Sequence, residues 1–361
     1  GDSSNFYGLT ERDFRKTRTD IATIAIEHDL NDTLTLKNTL RHGNSMQDYV
    51  LTQPDDSAGN VVNDGVWRRA NSRVGNTATT TNQTDLFGEF YLGGHKNSFS
   101  TGIEFSRENA EKQSYSVSPN SKITTCTGPS DGGNCTSLSN PNPDDAWDGS
   151  IARNYAGTDT SSTTRALYAF DTLELAPEWL LNMGLRYDHF DTQYKTYTAA
   201  GATTAKGNDT SEFVTGQLGL VWKPADNGSI YVSYATAATP PGSMLSEGTD
   251  ANPLPGSTDR AGNLLASDFE PEQTRNYELG TKWDVLNDRL SLTAAVFRTE
   301  KDNARVLVDT NTYENVGTTR VEGVELSATG KITDKWQVFA GYSYLAVSYT
   351  HLRAHETKAN L

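Results

Sequence analysis

Successive stretches of this chain alternate apolar and polar residues with a period of two, and this pattern is the strongest constraint on the fold. Leu290, Leu292 and Val296 fall on one face of such a stretch, while Ser291 and Thr293 fall on the other. Because successive side chains of a strand point to opposite faces, each stretch predicts a β-strand with one apolar and one polar face. About twelve strands of this kind are predicted along the chain.

Short and long connections alternate between the predicted strands. The short ones are turn-like, since Asn, Asp and Gly tolerate the positive φ that tight hairpins require. A soluble β-sandwich is not expected to alternate short and long connections, because its two ends are equivalent. Outer-membrane barrels have short turns at one rim and long loops at the other. The short connections fall at 30–32, 93–96, 176–178, 226–228, 286–288 and 333–335, and the long ones at 46–66, 108–161, 191–211, 237–271 and 302–316.

Aromatic and charged residues separate a membrane barrel from a soluble sheet. Tryptophans on the apolar faces close to short turns predict an aromatic girdle at one rim. Charges at the centres of the polar faces suit a wet or plugged lumen and not a dry core. The sequence therefore predicts an all-β, membrane-spanning, antiparallel up-and-down β-barrel in the bacterial outer membrane, here as a partial wall. The tryptophans are Trp179, Trp222, Trp283 and Trp336, and the charges are Arg186, Asp188, Glu278, Lys282 and Glu325.

The charge balance limits the functional classes. Lys and Arg total 31 against 46 Asp and Glu, so the net charge is −15, which argues against nucleic acid as a partner. No apolar run approaches the roughly 18 residues of a membrane-spanning helix. No nucleophile elbow, phosphate-binding glycine loop or paired-acid signature stands in a suitable context. We therefore predict neither an enzyme nor a bound cofactor or metal.

Three blocks of sequence resemble the β-barrel of TonB-dependent receptors, and their details are most similar to receptors for catecholate siderophores. A Pro-Glu stretch precedes a Glu-Leu-Gly-x-Lys strand, which is a fairly specific combination. The resemblance as a whole extends over most of 1–347. The blocks are 168–188, with Tyr-Ala-Phe-Asp and Gly-Leu-Arg-Tyr-Asp; 269–282, with Phe-Glu-Pro-Glu and Tyr-Glu-Leu-Gly; and 315–326, with Asn-Val-Gly and Gly-Val-Glu-Leu.

The resemblance implies a barrel closed by a plug, which imports a ferric siderophore with energy from TonB. On that basis residues 1–347 are predicted to be part of the barrel, without the plug, the remaining strands or the segment that contacts TonB. Residues 348–361 abandon alternation and are predicted to be a non-native tail, similar to translated sequencing-adapter DNA. The implied partners are TonB, the siderophore and outer-membrane lipid. Uptake of haem, cobalamin or a glycan stays open, as do a passive porin and an outer-membrane enzyme.

The long connections supply the candidate binding residues. A ferric catecholate complex is aromatic and anionic, so it suits Arg and aromatic side chains. Cys126 and Cys135 occupy the longest connection and are predicted to form a disulfide in an oxidising compartment. The predicted ligand contacts are Trp67, Arg68, Arg69, Trp147 and Tyr155, and the first three lead a long strand at the extracellular rim.

Overall fold

Antiparallel strands make up almost all of the computed structural model, which describes residues 2, 4–126, 128, 130–241, 270–309 and 312–351. The helical elements in these residues are two single turns, Asn60–Asn63 and Ser130–Gly133. No helix in the described part of the chain is both long and apolar enough to cross a membrane. The strands are β1 (Phe14–Asn31), β2 (Leu34–Asp55), β3 (Gly65–Leu92), β4 (His95–Ser118), β5 (Cys135–Ser137), β6 (Ser150–Ala176), β7 (Trp179–Tyr197), β8 (Thr203–Ala225), β9 (Gly228–Thr239), β10 (Glu272–Val285), β11 (Leu290–Asp309), β12 (Thr312–Thr333) and β13 (Trp336–His351).

The strands form one sheet in which sequence neighbours are also spatial neighbours. Twelve of them follow one another in the order β1-β2-β3-β4-β6-β7-β8-β9-β10-β11-β12-β13, and the short β5 pairs with the start of β3. Every pairing is antiparallel, as consecutive hairpins require. The predicted up-and-down wall of about twelve strands is confirmed, with β5 as an addition that the alternation did not reveal.

The predicted short turns are confirmed at all six places. Gly93 and Gly94, between β3 and β4, have φ values of 61° and 85°. Between β10 and β11, Leu286, Asn287 and Asp288 all adopt positive φ, at 58°, 57° and 61°. Positive φ turns the chain with the twist of the flanking strands, which is why these residue types mark the hairpins.

Most of the predicted long connections are shorter than expected, because strands continue into them. Strand β7 runs to Tyr197 and β8 begins at Thr203, so most of 191–211 is a paired hairpin. Much of 302–316 likewise lies in β11 and β12. Most of 237–271 lies outside the described residues. In these extensions apolar and polar residue types no longer alternate, yet backbone pairing continues, so a pattern search ends these strands too early.

Strand pairing continues four residues past the predicted domain boundary at residue 347. Ser348 pairs with Arg320, and the pairing of β13 with β12 continues to His351 opposite Gly317. The reason is again that hydrogen bonding between strands uses the backbone and does not require alternating side chains. Residues 352–361 lie outside the described part, so the non-native origin of the tail stays a prediction.

The register assigns each side chain to one of two faces, which we call the apolar face and the charged face. Residues directly opposite each other in a pair share a face, so Trp179 and Trp222 lie together, with ring centroids 5.8 Å apart and nearly parallel planes. Following the register from strand to strand puts all four predicted tryptophans on the apolar face, next to the short turns. On the same face, further from those turns, lies a second aromatic row of Tyr187, Tyr234, Tyr277 and Tyr344.

Candidate ligand-binding site

The charged face carries a hydrogen-bonded network at the centre of strands β3 to β7. Arg186 donates to Asp188 at 2.8 Å and to Glu104 at 3.3 Å. Tyr168 donates its hydroxyl to Asp85, and the Arg186 guanidinium lies 5.6 Å from the centroid of the Tyr168 ring. The charges predicted on the polar face are therefore paired with one another here, which keeps them stable inside a lumen.

At the end of the wall away from the short turns, several segments pack into what we call the loop unit. It consists of 4–13, 56–70 and the described residues of 119–149. Arg68 is its centre and is fully buried. Its guanidinium donates to Asp145 at 2.9 Å and to the carbonyl oxygens of Tyr7 and Gly133 at 3.0 and 2.9 Å. Burial lowers the pKa of Arg68, and the hydrogen bond that Arg68 donates to Asp145 opposes that effect.

A second buried arginine ties the first residues of the chain to the strands. Arg12 donates to the carbonyl oxygen of Arg68 at 2.9 Å and to the hydroxyl of Thr52 at 2.6 Å. Its neighbour Asp13 accepts from both the backbone and the hydroxyl of Thr52, at 2.9 and 2.6 Å. The two arginines, both fully buried, thus connect three segments that are far apart in sequence.

The predicted cysteine pair closes the longest connection. Cys126 and Cys135 form a disulfide with Cα atoms 5.5 Å apart, across a separation of nine residues. Trp67 packs against this disulfide and is 6% exposed. The strand β5 begins at Cys135, directly opposite Trp67. The disulfide, the indole and the short strand together fix the connection to the start of β3.

Replacing Cys126 with serine is expected to lower the stability of the loop unit by about 2–3 kcal/mol, because a short ring no longer restrains the unfolded segment. Hydrogen exchange of 119–149 in the exported protein measures this change, and Ser130→Ala in the same connection is the control. Two free thiols in non-reduced peptides of the wild-type protein would contradict the disulfide.

Two of the predicted ligand contacts, Trp67 and Arg68, are buried within the loop unit, where they contact groups of this chain. A tryptophan and an arginine near the rim of a barrel can pack a loop just as well as they can bind a ligand. The donors of Arg68 are directed at backbone carbonyl oxygens and at Asp145, all belonging to this chain. Their function in this structure is to hold the loops.

The other three predicted contacts do not come together. Arg69 lies on the charged face and pairs with Asp55 at 3.1 Å, with its side chain 40% exposed. Trp147 is half-buried, and its indole nitrogen has no hydrogen-bond partner among the described residues. Tyr155 is 61% exposed and lies against Arg153. Their contact with a ligand stays a prediction.

A basic patch on the charged face lies beside the loop unit, and the sequence analysis had named only Arg69 among its residues. Arg15 on β1, Tyr49 on β2 and Arg73 on β3 are direct neighbours in one row of the sheet. Two strand spacings separate the two arginines, a distance of about 10 Å between backbones. Neither arginine has an acidic partner among the described residues. We call the following set the mouth patch: Arg15, Tyr49, Arg69, Arg73 and Lys112, all on the same face by register.

The mouth patch is suited to an anionic, flat ligand. Arginine guanidinium groups bind carboxylate and similar anions through paired N–H donors and also stack on aromatic planes. Tyr49 provides a ring between two such groups. Tyr49, Arg73 and Asp85 all have odd sequence numbers, and this was the signal in the sequence. Odd-numbered residues of different strands share a face only in certain registers, so the signal cannot be used until the register between the strands is known.

Comparison with known proteins identifies the family. Residues 1–360 match the model of the TonB dependent receptor-like, beta-barrel family. The chain is 43% identical over 349 residues to the probable TonB-dependent siderophore receptor PiuA of Acinetobacter baumannii. It is 36% identical over 374 residues to the catecholate siderophore receptor Fiu of Escherichia coli K12. These alignments cover 94% and 95% of this chain and 45% of each relative.

Solved structures agree with the sequence relatives. The crystal structure of PiuA superposes with a TM-score of 0.80 at 39% identity, over 95% of this chain and 48% of that one. The closed form of Fiu superposes with a TM-score of 0.78 at 32% identity, over 96% and 49%. The chain thus spans about half the length of the relatives it matches. It belongs to the family of TonB-dependent receptor β-barrels.

Proposed function

We propose that the wall is part of an outer-membrane receptor that imports a ferric siderophore of the catecholate type, with energy supplied by TonB. The observation that carries the ligand class is the mouth patch, where Arg15, Tyr49 and Arg73 adjoin on the charged face. The chain as a whole has a net charge of −15, so a local basic surface at this place needs an explanation. An anionic, aromatic iron complex provides one.

The two aromatic rows support the placement in a membrane. Trp283 and Tyr277, or Trp336 and Tyr344, lie six to eight residues apart on one strand. At about 3.3 Å per residue this is roughly 20–26 Å along the strand, similar to the roughly 25 Å apolar band of an outer-membrane barrel. The charged face then lines the lumen, and the loop unit projects into the extracellular medium.

The relatives support the direction of transport and the choice of cargo. PiuA and Fiu are named as siderophore receptors, and Fiu as a catecholate receptor. A wide, occluded lumen needs work to open, and the outer membrane has no ion gradient of its own, so we assign that work to TonB. Iron enters as cargo, and the proposal involves no catalytic step.

A panel of iron complexes tests the ligand class. Purified full-length receptor in detergent is titrated with a ferric catecholate, a ferric hydroxamate, haem and cyanocobalamin, with tryptophan fluorescence as the readout. We expect the ferric catecholate to bind at least about tenfold more tightly than the others, since it alone combines high negative charge with flat rings. Equal binding of the hydroxamate contradicts the catecholate class, and binding of haem or cobalamin alone contradicts siderophore import.

A further inference from the structure

The apolar face of β4, β6, β7 and β8 becomes polar in the part of these strands that is farthest from the short turns. Lys195, for example, lies eight residues beyond Tyr187 on β7, which is about 26 Å along the strand. Here the outward side chains are amides, hydroxyls and charges, and they form most of the lining of a groove of about 860 Å³. We call the following outward residues the lateral patch: Asn109, Glu111, Asp159, Ser161, Gln193, Lys195, Lys206 and Asn208.

The charges of the lateral patch stand in one row of the sheet, with the acids on one side and the lysines on the other. Each member of the row is the direct neighbour of the next across a strand pair. The order from β4 to β8 is therefore two negative charges followed by two positive charges. The charged row is Glu111, Asp159, Lys195 and Lys206, and the row nearer the short turns is Asn109, Ser161, Gln193 and Asn208.

The two inner charges of the row satisfy each other, and the two outer ones do not. Asp159 and Lys195 form an ion pair at 3.0 Å. Glu111 accepts hydrogen bonds from two uncharged side chains, at 2.9 and 3.1 Å. Within the described part of the chain, neither Glu111 nor Lys206 has a partner of opposite charge, and both are exposed. Lys195 and Lys206 also stand directly opposite each other, and like charges in that position destabilise a sheet.

A second copy of the same surface complements this order of charges. Two receptors side by side in one membrane are related by a two-fold axis along the membrane normal, which places the left half of one surface against the right half of the other. With the axis between β6 and β7, the acidic half of each copy faces the basic half of its neighbour. We propose that the lateral patch is the contact between two copies of this receptor in the outer membrane.

The distances fit this arrangement. Glu111 and Lys206 lie three strand spacings apart, about 14 Å, with the axis midway between them. Barrel strands tilt by about 35–45°, so the two ends of the row differ in height by about 9 Å, a difference that extended lysine and glutamate side chains span. The amides of the second row suit the same contact, because an amide both donates and accepts hydrogen bonds and so pairs with its own kind.

The size of the lateral patch predicts a weak pair. Four strands and two outward rows cover about 19 Å by 13 Å, or about 250 Å² for each copy. A stable interface buries about 800 Å² for each partner. We therefore expect two copies to associate in the plane of the membrane and to separate in dilute detergent. The proposal rests on the membrane placement given above and is independent of which ligand the receptor imports.

Cysteine cross-linking in intact cells tests the proposal. Full-length receptor carrying Ser161→Cys, beside the proposed axis, is treated with a short bis-maleimide, and dimer is measured on gels. Asp20→Cys is the control, because Asp20 is an exposed residue of the same row, four strand spacings or about 19 Å away. Both yields are normalised to labelling by a monofunctional maleimide, and the native cysteines are already paired. We expect at least about tenfold more dimer from Ser161→Cys, and equal yields overturn the proposal.

A charge exchange identifies the contacting residues. In the Ser161→Cys background, Glu111→Lys and Lys206→Glu each place like charges against the second copy, and each change counts twice in a symmetric contact. We expect either variant to lower the dimer yield about tenfold. Glu111→Lys/Lys206→Glu should restore it, because these residues are about 14 Å apart within one copy and meet only between copies. A combined variant that stays as low as the single ones contradicts the pairing.

Surface saccharide is the other occupant that this polar groove could take, and the same cells distinguish it. Protection of Ser161→Cys from monofunctional maleimide that disappears when the surface polysaccharide is truncated, with no dimer in either strain, would assign the patch to saccharide and overturn the proposal. Ferric siderophore uptake is measured alongside, and we expect the charge variants to match wild type, since the patch faces away from the lumen. Dimer formation by a wild-type receptor that imports no ferric siderophore would count against the proposed function and leave the lateral contact standing.

Discussion

Replacing Arg68 with methionine is expected to weaken the loop unit by about 3–5 kcal/mol, the usual effect of removing one partner from a buried ion pair. Asp145 is 7% exposed and would lose the guanidinium that now contacts it at 2.9 Å. Several backbone carbonyl oxygens would lose their donor as well. Hydrogen exchange across 119–149 and limited proteolysis of the exported receptor measure the change.

Arg69→Met is the matched control for Arg68, because it changes the same residue type one position along the same strand. Its side chain is 40% exposed, and its ion pair with Asp55, whose side chain is 12% exposed, is only partly buried. We expect a loss of at most about 1 kcal/mol in this variant. Equal exchange rates in the two variants would show that Arg68 does not hold the loops together.

Replacing both Arg15 and Arg73 with glutamine is expected to weaken ferric siderophore binding about a hundredfold, at roughly 1.4 kcal/mol for each partly solvated charged contact. The two side chains flank Tyr49 on the charged face. The remaining affinity should also depend less on salt, because surface charge contacts are screened at high ionic strength. Titration of the full-length receptor at low and physiological salt gives both quantities.

The control for this pair is Arg18→Gln, on the same strand as Arg15 but on the opposite face. Arg18 already pairs with Asp20 at 2.8 Å, and its side chain is 73% exposed. We expect wild-type affinity in this variant. An equal loss in Arg18→Gln and in the double variant would mean that general charge, and not the mouth patch, attracts the ligand.

The strands and turns were predictable because each depends on local chemistry. Alternation marked the parts of β7, β8 and β11 with one apolar face, and Asn, Asp and Gly marked the hairpins. The ends of the same strands were not predictable in this way. The β7–β8 hairpin ends at Tyr197 and Thr203, and the residues near this end are mostly polar on both faces. Backbone pairing does not require alternating side chains, so the sequence pattern does not show how far these strands extend.

The candidate site was harder to predict because its residues come together only through register. Arg68 and Arg69 are adjacent in sequence, yet one is buried in the loop unit and the other lies on the charged face. Arg15 and Arg73 are distant in sequence and meet through Tyr49. Arginine is the residue type both in the buried loop contact and in the proposed ligand surface, so residue type alone does not tell them apart. The pairing of strands β1, β2 and β3 does.

Uptake of radiolabelled iron is the most direct test of the central claim, that this wall belongs to a receptor importing a ferric siderophore with energy from TonB. Cells expressing the full-length receptor are supplied with a ferric catecholate, in strains with and without TonB. We predict rapid accumulation of iron in the first strain and only background accumulation in the second, although both bind the complex at the surface. Equal uptake in the two strains would contradict the account.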